Sequence, residues 1–204
     1  MLTQKSSRPT AQRLLDAAEK LMRTTGLARA TTKAIAREAG CSEAALYKHF
    51  TNKEELFVRV LMERSPNAGP LIAELSDAAD GSSPRSVQQR LTAIAGHAAL
   101  FYADGMPMGA SLFAEPDLLK RHREGIKRIG AGPHKVLDAL AGYLEGERRR
   151  GRIRADADPR AAAALLLGAC FQRAFFLHFS GPDTVDPVED FAAAVAATVW
   201  AAVR

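Results

Sequence analysis

The chain has 204 residues, a formal net charge of +5, and a composition in which only 6% of residues are aromatic while alanine and leucine abound. That length allows one or two domains with a substantial core, and the make-up favours helix over sheet. Two cysteines far apart in sequence, Cys41 and Cys170, exclude a disulfide scaffold or a cysteine-based metal site and point to a reducing cytoplasm.

The charge is unevenly placed. Residues 1–64 carry 12 Lys/Arg against 7 Asp/Glu, whereas residues 65–204 carry 16 of each. A basic head on a neutral body fits nucleic-acid binding. Met1–Thr10 is polar and basic, without the apolar run of a signal peptide. No run reads as a membrane span; Ala161–Phe179 comes nearest but contains Gln172 and Arg173.

In chain order, Met1–Arg8 is a short basic arm in which Lys5 and Arg8 could touch DNA. A helix is expected from Pro9–Thr10 to Gly26, with Leu14, Leu15, Ala18, Leu21 and Met22 as its apolar stripe. Thr31–Phe50 reads as two short helices hinged at Gly40. Ile35 and Ala39 face inward in the first, Gly40 stops it, and Ser42 caps the second, whose Leu46 and Phe50 face inward. This is the pattern of a helix-turn-helix, whose second helix can enter the major groove. A plain helical hairpin is the alternative, but small residues followed by polar and aromatic ones suit approach to a base edge. Asn52 and Glu55 form a near capping box for a further helix to Arg64, and Lys53 is expected beside its N-terminus, ready for a phosphate. Ser65-Pro66 marks the boundary between head and body.

A weaker helix follows over 67–79, then the loop Asp80–Ser83, with Ser83-Pro84 as cap and first position of a helix to about Ala103. Asp104-Gly105-Met106-Pro107 is expected to break it. Glu115-Pro116 opens a helix to about Ile129, and another runs from His134 to Arg150. The basic run Arg148–Arg152 reads as cations complementing a helix C-terminus, with Gly151 just beyond. Asp158-Pro159 opens a helix to Phe179, and Asp186-Pro187-Val188-Glu189 opens the last, with Asp186 as its cap. The last helix carries a Phe191, Val195, Val199 and Val203 stripe on an alanine background. These two terminal helices could pack against their copies as a four-helix bundle, or equally form an intrachain core.

Five scattered histidines lack the spacing of a zinc helix, and no phosphate loop or nucleophile motif is legible. No catalytic, metal or cofactor-binding residue is therefore assigned, and an enzyme is not expected.

The residues Thr-Thr-x-x-Ile-Ala-x-x-Ala-Gly-x-Ser-x-x-x-Leu-Tyr-x-His-Phe-x-x-Lys-Glu-x-Leu, from Thr31 to Leu56, resemble the DNA-binding domain of the TetR family of bacterial transcriptional regulators. The resemblance covers about the first third of the chain. Cys41 stands where the family usually has Val, and Ala44 where Gly is frequent. It implies an all-α protein: a three-helix DNA-binding domain over 1–51, a connecting helix over 52–64, and a helical effector-binding and dimerisation domain over 65–204. DNA contacts are expected from Thr31, Thr32, Lys33, Ser42, Glu43, Ala44, Ala45, Tyr47, Lys48, His49 and Lys53. Of these, Thr32, Tyr47, His49 and Lys53 are assigned to phosphates, and Lys33, Glu43, Ala44, Ala45 and Lys48 to base edges.

Candidate lining residues for an apolar or aromatic small-molecule effector are His97, Phe101, Tyr102, Met106, Met108, Phe113, Tyr143, Phe171, Phe175 and His178, each of which also fits a filled core. The homodimer implied by the resemblance would use Leu165, Leu166, Phe176, Phe191, Val195 and Val199. The expectation is a cytoplasmic repressor that binds a palindromic operator and is released by its effector. An activator, an architectural protein, and a helical enzyme or scaffold are the alternatives.

Overall fold

The computed structural model describes residues 9–80 and 85–204. The expected arm at Met1–Arg8 and the Ser83-Pro84 cap lie outside them. Among the described residues the chain is helical throughout, without strands. The helices are α1 (Thr10–Arg29), α2 (Thr32–Glu38), α3 (Glu43–Tyr47), α4 (Lys53–Arg64), α5 (Ala68–Asp80), α6 (Val87–Ala114), α7 (Pro116–Arg128), α8 (His134–Arg149), α9 (Pro159–Phe179) and α10 (Val188–Val203). A short 3-10 turn occupies Pro182–Thr184.

The chain divides into two compact units. Unit 1 holds the residues up to Arg64 together with Pro107–Ala131; unit 2 holds Ser65–Met106 and Gly132–Arg204. Pro107–Ala131 thus packs with the N-terminal helices. Unit 1 closes around Leu14, Leu15, Met22, Ile35, Leu46, Phe50, Leu56 and Val60, joined by Met108, Leu112 and Leu118 from the second segment. Each such side chain contributes about 1.5–3 kcal/mol by leaving water. In α7, Leu118, His122 and Gly125 fall on one face, at helical spacing, and are buried. Gly125 is needed for this packing: a methyl group there would lie 2.5 Å from Cγ of Glu54 on α4.

In unit 2, α9 packs on α8 and α10, and α5 on α8. Its core includes Leu91, Ile94, Leu140, Leu144, Leu166, Cys170 and Ala196. Asp158 caps α9 as expected, accepting from the backbone N–H groups of Arg160 (2.9 Å) and Ala161 (3.0 Å). Asp186 does not cap α10: Pro187 holds that position without a side-chain bond, and the Asp186 carbonyl instead accepts from Arg173.

The expected break at Asp104–Pro107 is absent; α6 runs through Pro107. Proline withholds the N–H that would reach the Ala103 carbonyl. Nε2 of His178 lies 2.9 Å from that carbonyl and supplies the missing donor. Asp104 beside it accepts from Ser65 Oγ (2.7 Å) and Asn67 Nδ2 (2.9 Å), tying the start of unit 2 to α6. The helix α9 also departs from expectation. Its length and apolar composition meet those of a membrane-crossing helix, because Gln172 and Arg173 do not outweigh its leucines and phenylalanines.

Candidate nucleic-acid interface

The helix-turn-helix is assembled by local hydrogen bonding at each end of its short helices. Thr31 Oγ1 accepts from the Ala34 N–H (3.1 Å) and so caps α2; Ser42 Oγ accepts from the Ala45 N–H (3.1 Å) and caps α3. Between them Gly40 takes φ +66°, the left-handed conformation that ends a helix. The Gly40 N–H reaches the Arg37 carbonyl (3.1 Å) and the Cys41 N–H the Ala36 carbonyl (2.9 Å), the paired bonds of a Schellman turn. Gly26, at φ 78°, likewise ends the regular part of α1 near the expected position.

Inward, Leu46 and Phe50 are almost fully buried and pin α3 to the core. Outward, Lys33, Ala44, Tyr47, Lys48 and His49 are exposed, while Ala45 is half-buried. Regular helix ends at Tyr47, with a last turn closed by the Phe50 N–H on the Leu46 carbonyl (3.0 Å). The Arg59 guanidinium lies 5.1 Å above the Phe50 ring and pairs with Glu63 at 2.6 Å. Lys20 on α1 pairs with Glu38 on α2 at 2.6 Å, holding the Glu38 carboxyl below its ordinary range.

Five expected contact residues carry internal bonds as well: Thr31, Thr32, Ser42, Glu43 and Lys53. Thr31 and Ser42 use an oxygen lone pair for capping. Thr32 donates to Oε1 of Glu43 at 2.5 Å, joining the start of α2 to the start of α3. Lys53 is a correction. Its ammonium does not stand out beside the N-terminus of α4; it donates to the Leu27 carbonyl and lies 3.5 Å from that of Ala28. Burial lowers its pKa from the usual lysine range. The carbonyls at the end of α1, just past the Gly26 interruption, draw the ammonium inward as acceptors. The capping box at α4 does form: Asn52 Oδ1 accepts from the Glu55 N–H (2.7 Å) and Glu55 Oε2 from the Thr51 N–H (2.7 Å).

The ten candidate lining residues are divided between the two units. Met108 is packed in the core of unit 1 and Phe113, in the same unit, is exposed. Phe101 and Tyr102 meet at 5.7 Å, and Phe171 closes edge-on against Tyr102 at 5.8 Å. Burial pushes the Tyr102 phenol up to about 12. His97 and Met106 are half-buried; Phe171, Phe175 and His178 are exposed. Tyr143 is buried, and burial together with the Glu147 carboxylate raises its phenol to about 12. Glu147 is itself buried and pairs with Arg150 (3.2 Å) and Arg152, so much of the Arg148–Arg152 run is matched within the chain.

The expected dimer residues split in two. Leu166 and Val199 are buried within the chain, and Phe191 and Val195 are half-buried on the same inward side of α10. Leu165 (65% exposed) and Phe176 (41%) remain outside on α9, next to Phe179 (77%). On α10 the exposed positions include Ala193, Ala194, Ala197, Ala201 and Ala202. The valine stripe thus serves the intrachain core and the alanines face out, because the larger side chains exclude more water when buried.

Comparison with known proteins agrees with this geometry. Residues 14–60 match the model of bacterial regulatory proteins of the tetR family, and residues 125–203 match that of the C-terminal domain of AefR-like transcriptional repressors. The uncharacterised HTH-type transcriptional regulator YvkB of Bacillus subtilis is 40% identical over 67 residues, which are 33% of this chain and 35% of that protein. The chain thus spans about a third of that relative. Among solved structures, a protein from Mesorhizobium loti described as of the TetR family superposes with a TM-score of 0.71 at 21% identity, covering 95% of this chain and 96% of that one. FadR from Bacillus subtilis, solved with stearoyl-CoA, gives 0.64 at 17% identity, covering 95% and 99%. With a capped helix-turn-helix in its N-terminal helices and family matches over residues 14–60 and 125–203, the chain belongs to the TetR family of bacterial transcriptional regulators.

Proposed function

We propose that this regulator is a ligand-responsive repressor that binds a palindromic operator as a homodimer and releases it when a small apolar or aromatic molecule binds. The observation that carries the reading is the exposed set Ala44, Tyr47, Lys48 and His49 on a capped, core-anchored α3 and its closing turn, with Lys33 exposed at the start of α2. Small and cationic groups on one short helix suit major-groove contact, Lys toward guanine and the alanine methyl toward thymine. Tyr47 and His49 supply phosphate contacts at the rim. The working division is a reading head over 1–51, α4 as connector, and the remainder as effector-binding and dimerisation body.

One five-residue helix reads few base pairs, so a two-fold pair is needed for a specific site. The surface for that pair is the outer side of α9 and α10, where Leu165, Phe176 and Phe179 stand beside a run of alanines that lets helix axes approach closely. The effector reading draws on the aromatic cluster Phe101, Tyr102 and Phe171, and on a fold shared with a protein that takes stearoyl-CoA. A ligand can act only by binding one state of the dimer better than the other. Such a regulator works on the chromosome, in the cytoplasm.

The test is a mobility shift and footprint on the DNA flanking its own coding region, repeated with fatty acyl-CoA esters and small aromatics. A protected two-fold site lost on adding one of these supports the proposal. Retention of no duplex at low ionic strength overturns it. A protected site that persists through the whole panel leaves DNA binding standing and overturns the effector assignment.

A further inference from the structure

The bond between Thr32 and Glu43 bears on how sequence is read. Glu43 is the first residue of α3, a carboxylate on the surface offered to a polyanion. It is half-buried, and its Oε1 receives the Thr32 hydroxyl at 2.5 Å. A threonine hydroxyl has one proton to donate. Given to Glu43, it is not available to a phosphate. Oε2 of Glu43 takes no hydrogen bond among the described residues and remains an open acceptor.

We propose that Thr32 is a positioning residue for base readout, holding Glu43 by one carboxylate oxygen so that the other is presented to a base amino group in the major groove. This rests on the DNA-binding reading above and assigns Thr32 a role other than phosphate anchor. The bases with such a donor are cytosine, through N4, and adenine, through N6. Thr32 can do this because Thr31, not Thr32, caps α2, which leaves the Thr32 side chain to point toward α3. The Schellman turn at Gly40 and the Ser42 cap fix the separation of the two helix starts, so the contact is set before DNA arrives. A long side chain ordered in advance has less freedom to lose on binding.

The experiment uses the full chain. Selection from a pool of duplexes with a randomised centre defines the preferred half-site. Thr32→Val, Thr32→Ser, Glu43→Gln, Glu43→Ala and the Thr32→Val/Glu43→Ala double variant are then measured on that duplex and on single-base-pair changes of it, across salt concentrations. Glu43→Ala should flatten preference at one base pair by roughly 5- to 150-fold, the worth of one good base contact. Thr32→Val should flatten the same base pair by roughly 2- to 12-fold, the ordering cost of one long side chain. Thr32→Ser should restore it, and the double variant should discriminate no worse than Glu43→Ala alone. The slope of affinity against salt should stay unchanged in Thr32→Val.

A uniform loss on every duplex with a slope reduced by about one marks Thr32 as a phosphate anchor and overturns the proposal. So does a change at a different base pair, or none. Melting curves of each variant separate these results from unfolding, with Thr32→Ser as the folded control. Sequence-specific binding by the parent with an indifferent Thr32→Val sinks this inference alone; a parent that retains no duplex sinks the DNA reading with it.

Discussion

Replacing Gly40 by alanine isolates the turn on which the reading head is built. The backbone there sits at φ +66°, and a methyl group would meet nothing nearer than an Arg13 guanidinium nitrogen at 3.9 Å. No clash arises, so the cost is conformational alone. Holding an L-residue in the left-handed region costs about 1–2 kcal/mol. Alanine recovers about 0.4–1 kcal/mol by stiffening the unfolded chain. The net loss is about 1 kcal/mol, or about 2–4 °C in melting temperature for a chain of this size. Asparagine tolerates this conformation better than alanine, so Gly40→Asn should fall between the two. Gly142 is the control: exposed in the interior of α8 with open space around its Cβ position, its change to alanine should add about 0.5–1 kcal/mol. Thermal unfolding followed by circular dichroism reads all three. Duplex binding at low temperature should change only a few-fold for Gly40→Ala, because the Ser42 cap and the Leu46 and Phe50 anchors still hold α3. A Gly40→Ala variant as stable as the parent, or an asparagine variant weaker than the alanine one, would refute the reasoning.

Lys53→Met should lower stability by about 1.5–3 kcal/mol through loss of a charge-assisted bond to the end of α1, leaving the salt dependence of DNA binding unchanged; urea titration and binding isotherms check each half. Lys48→Ala should weaken the preferred duplex more than a random one, whereas equal weakening would remove Lys48 from base readout. A charge on the outer face of α9, Phe176→Glu, should give monomers in sedimentation velocity with helicity retained; an unchanged mass would place the dimer elsewhere. His122 is buried edge-on against Phe57 at 5.3 Å, and burial lowers its pKa despite the Glu54 carboxylate nearby. The unfolded chain then binds the proton more readily, so stability should be full above about pH 6.5 and fall as pH drops below it toward the folded pKa. His122→Gln should lose that component of the pH profile; an identical acid limb would sink the assignment.

What the sequence made legible was set by local rules. Thr31, Ser42, Asn52 and Asp158 cap because a hydroxyl, amide or carboxylate one position before a helix satisfies its orphan N–H groups whatever the surroundings. The reading helix was legible for the same reason, since its inward pair Leu46 and Phe50 follows helical spacing. The failures share another cause. Pro107 reads as a breaker because its own turn lacks a bond, and the donor that compensates, His178, is 71 positions away. Lys53 reads as surface because lysine usually is, yet the carbonyls it serves lie at the end of α1. The stripe on α10 fits a dimer seam and an intrachain core alike, because periodicity marks a buried face without saying which chain buries it. The packing of 107–131 with the N-terminal helices was hinted at by Leu118, His122 and Gly125 at helical spacing, but nothing local says which core that face joins.

The excess charge of the head is also sorted by these local contacts. On α1 and α4 several cations are engaged: Arg23 by Glu19, Lys20 by Glu38, Arg59 by Glu63, and Arg64 by Asp16 and Gln12. Lys33, Arg37 and Lys48 take no ion pair among the described residues, and all three belong to the helix-turn-helix. Exposed pairs contribute little to stability, about 0–1 kcal/mol each, so their arrangement matters more for where positive potential survives. With several flanking cations matched by neighbours and Lys33, Arg37 and Lys48 left open, positive potential survives on the helix-turn-helix, which is where a duplex is drawn. The Thr32 bond to Glu43 belongs to the same arrangement, since it holds the one carboxylate of α3 in a fixed place within that positive field.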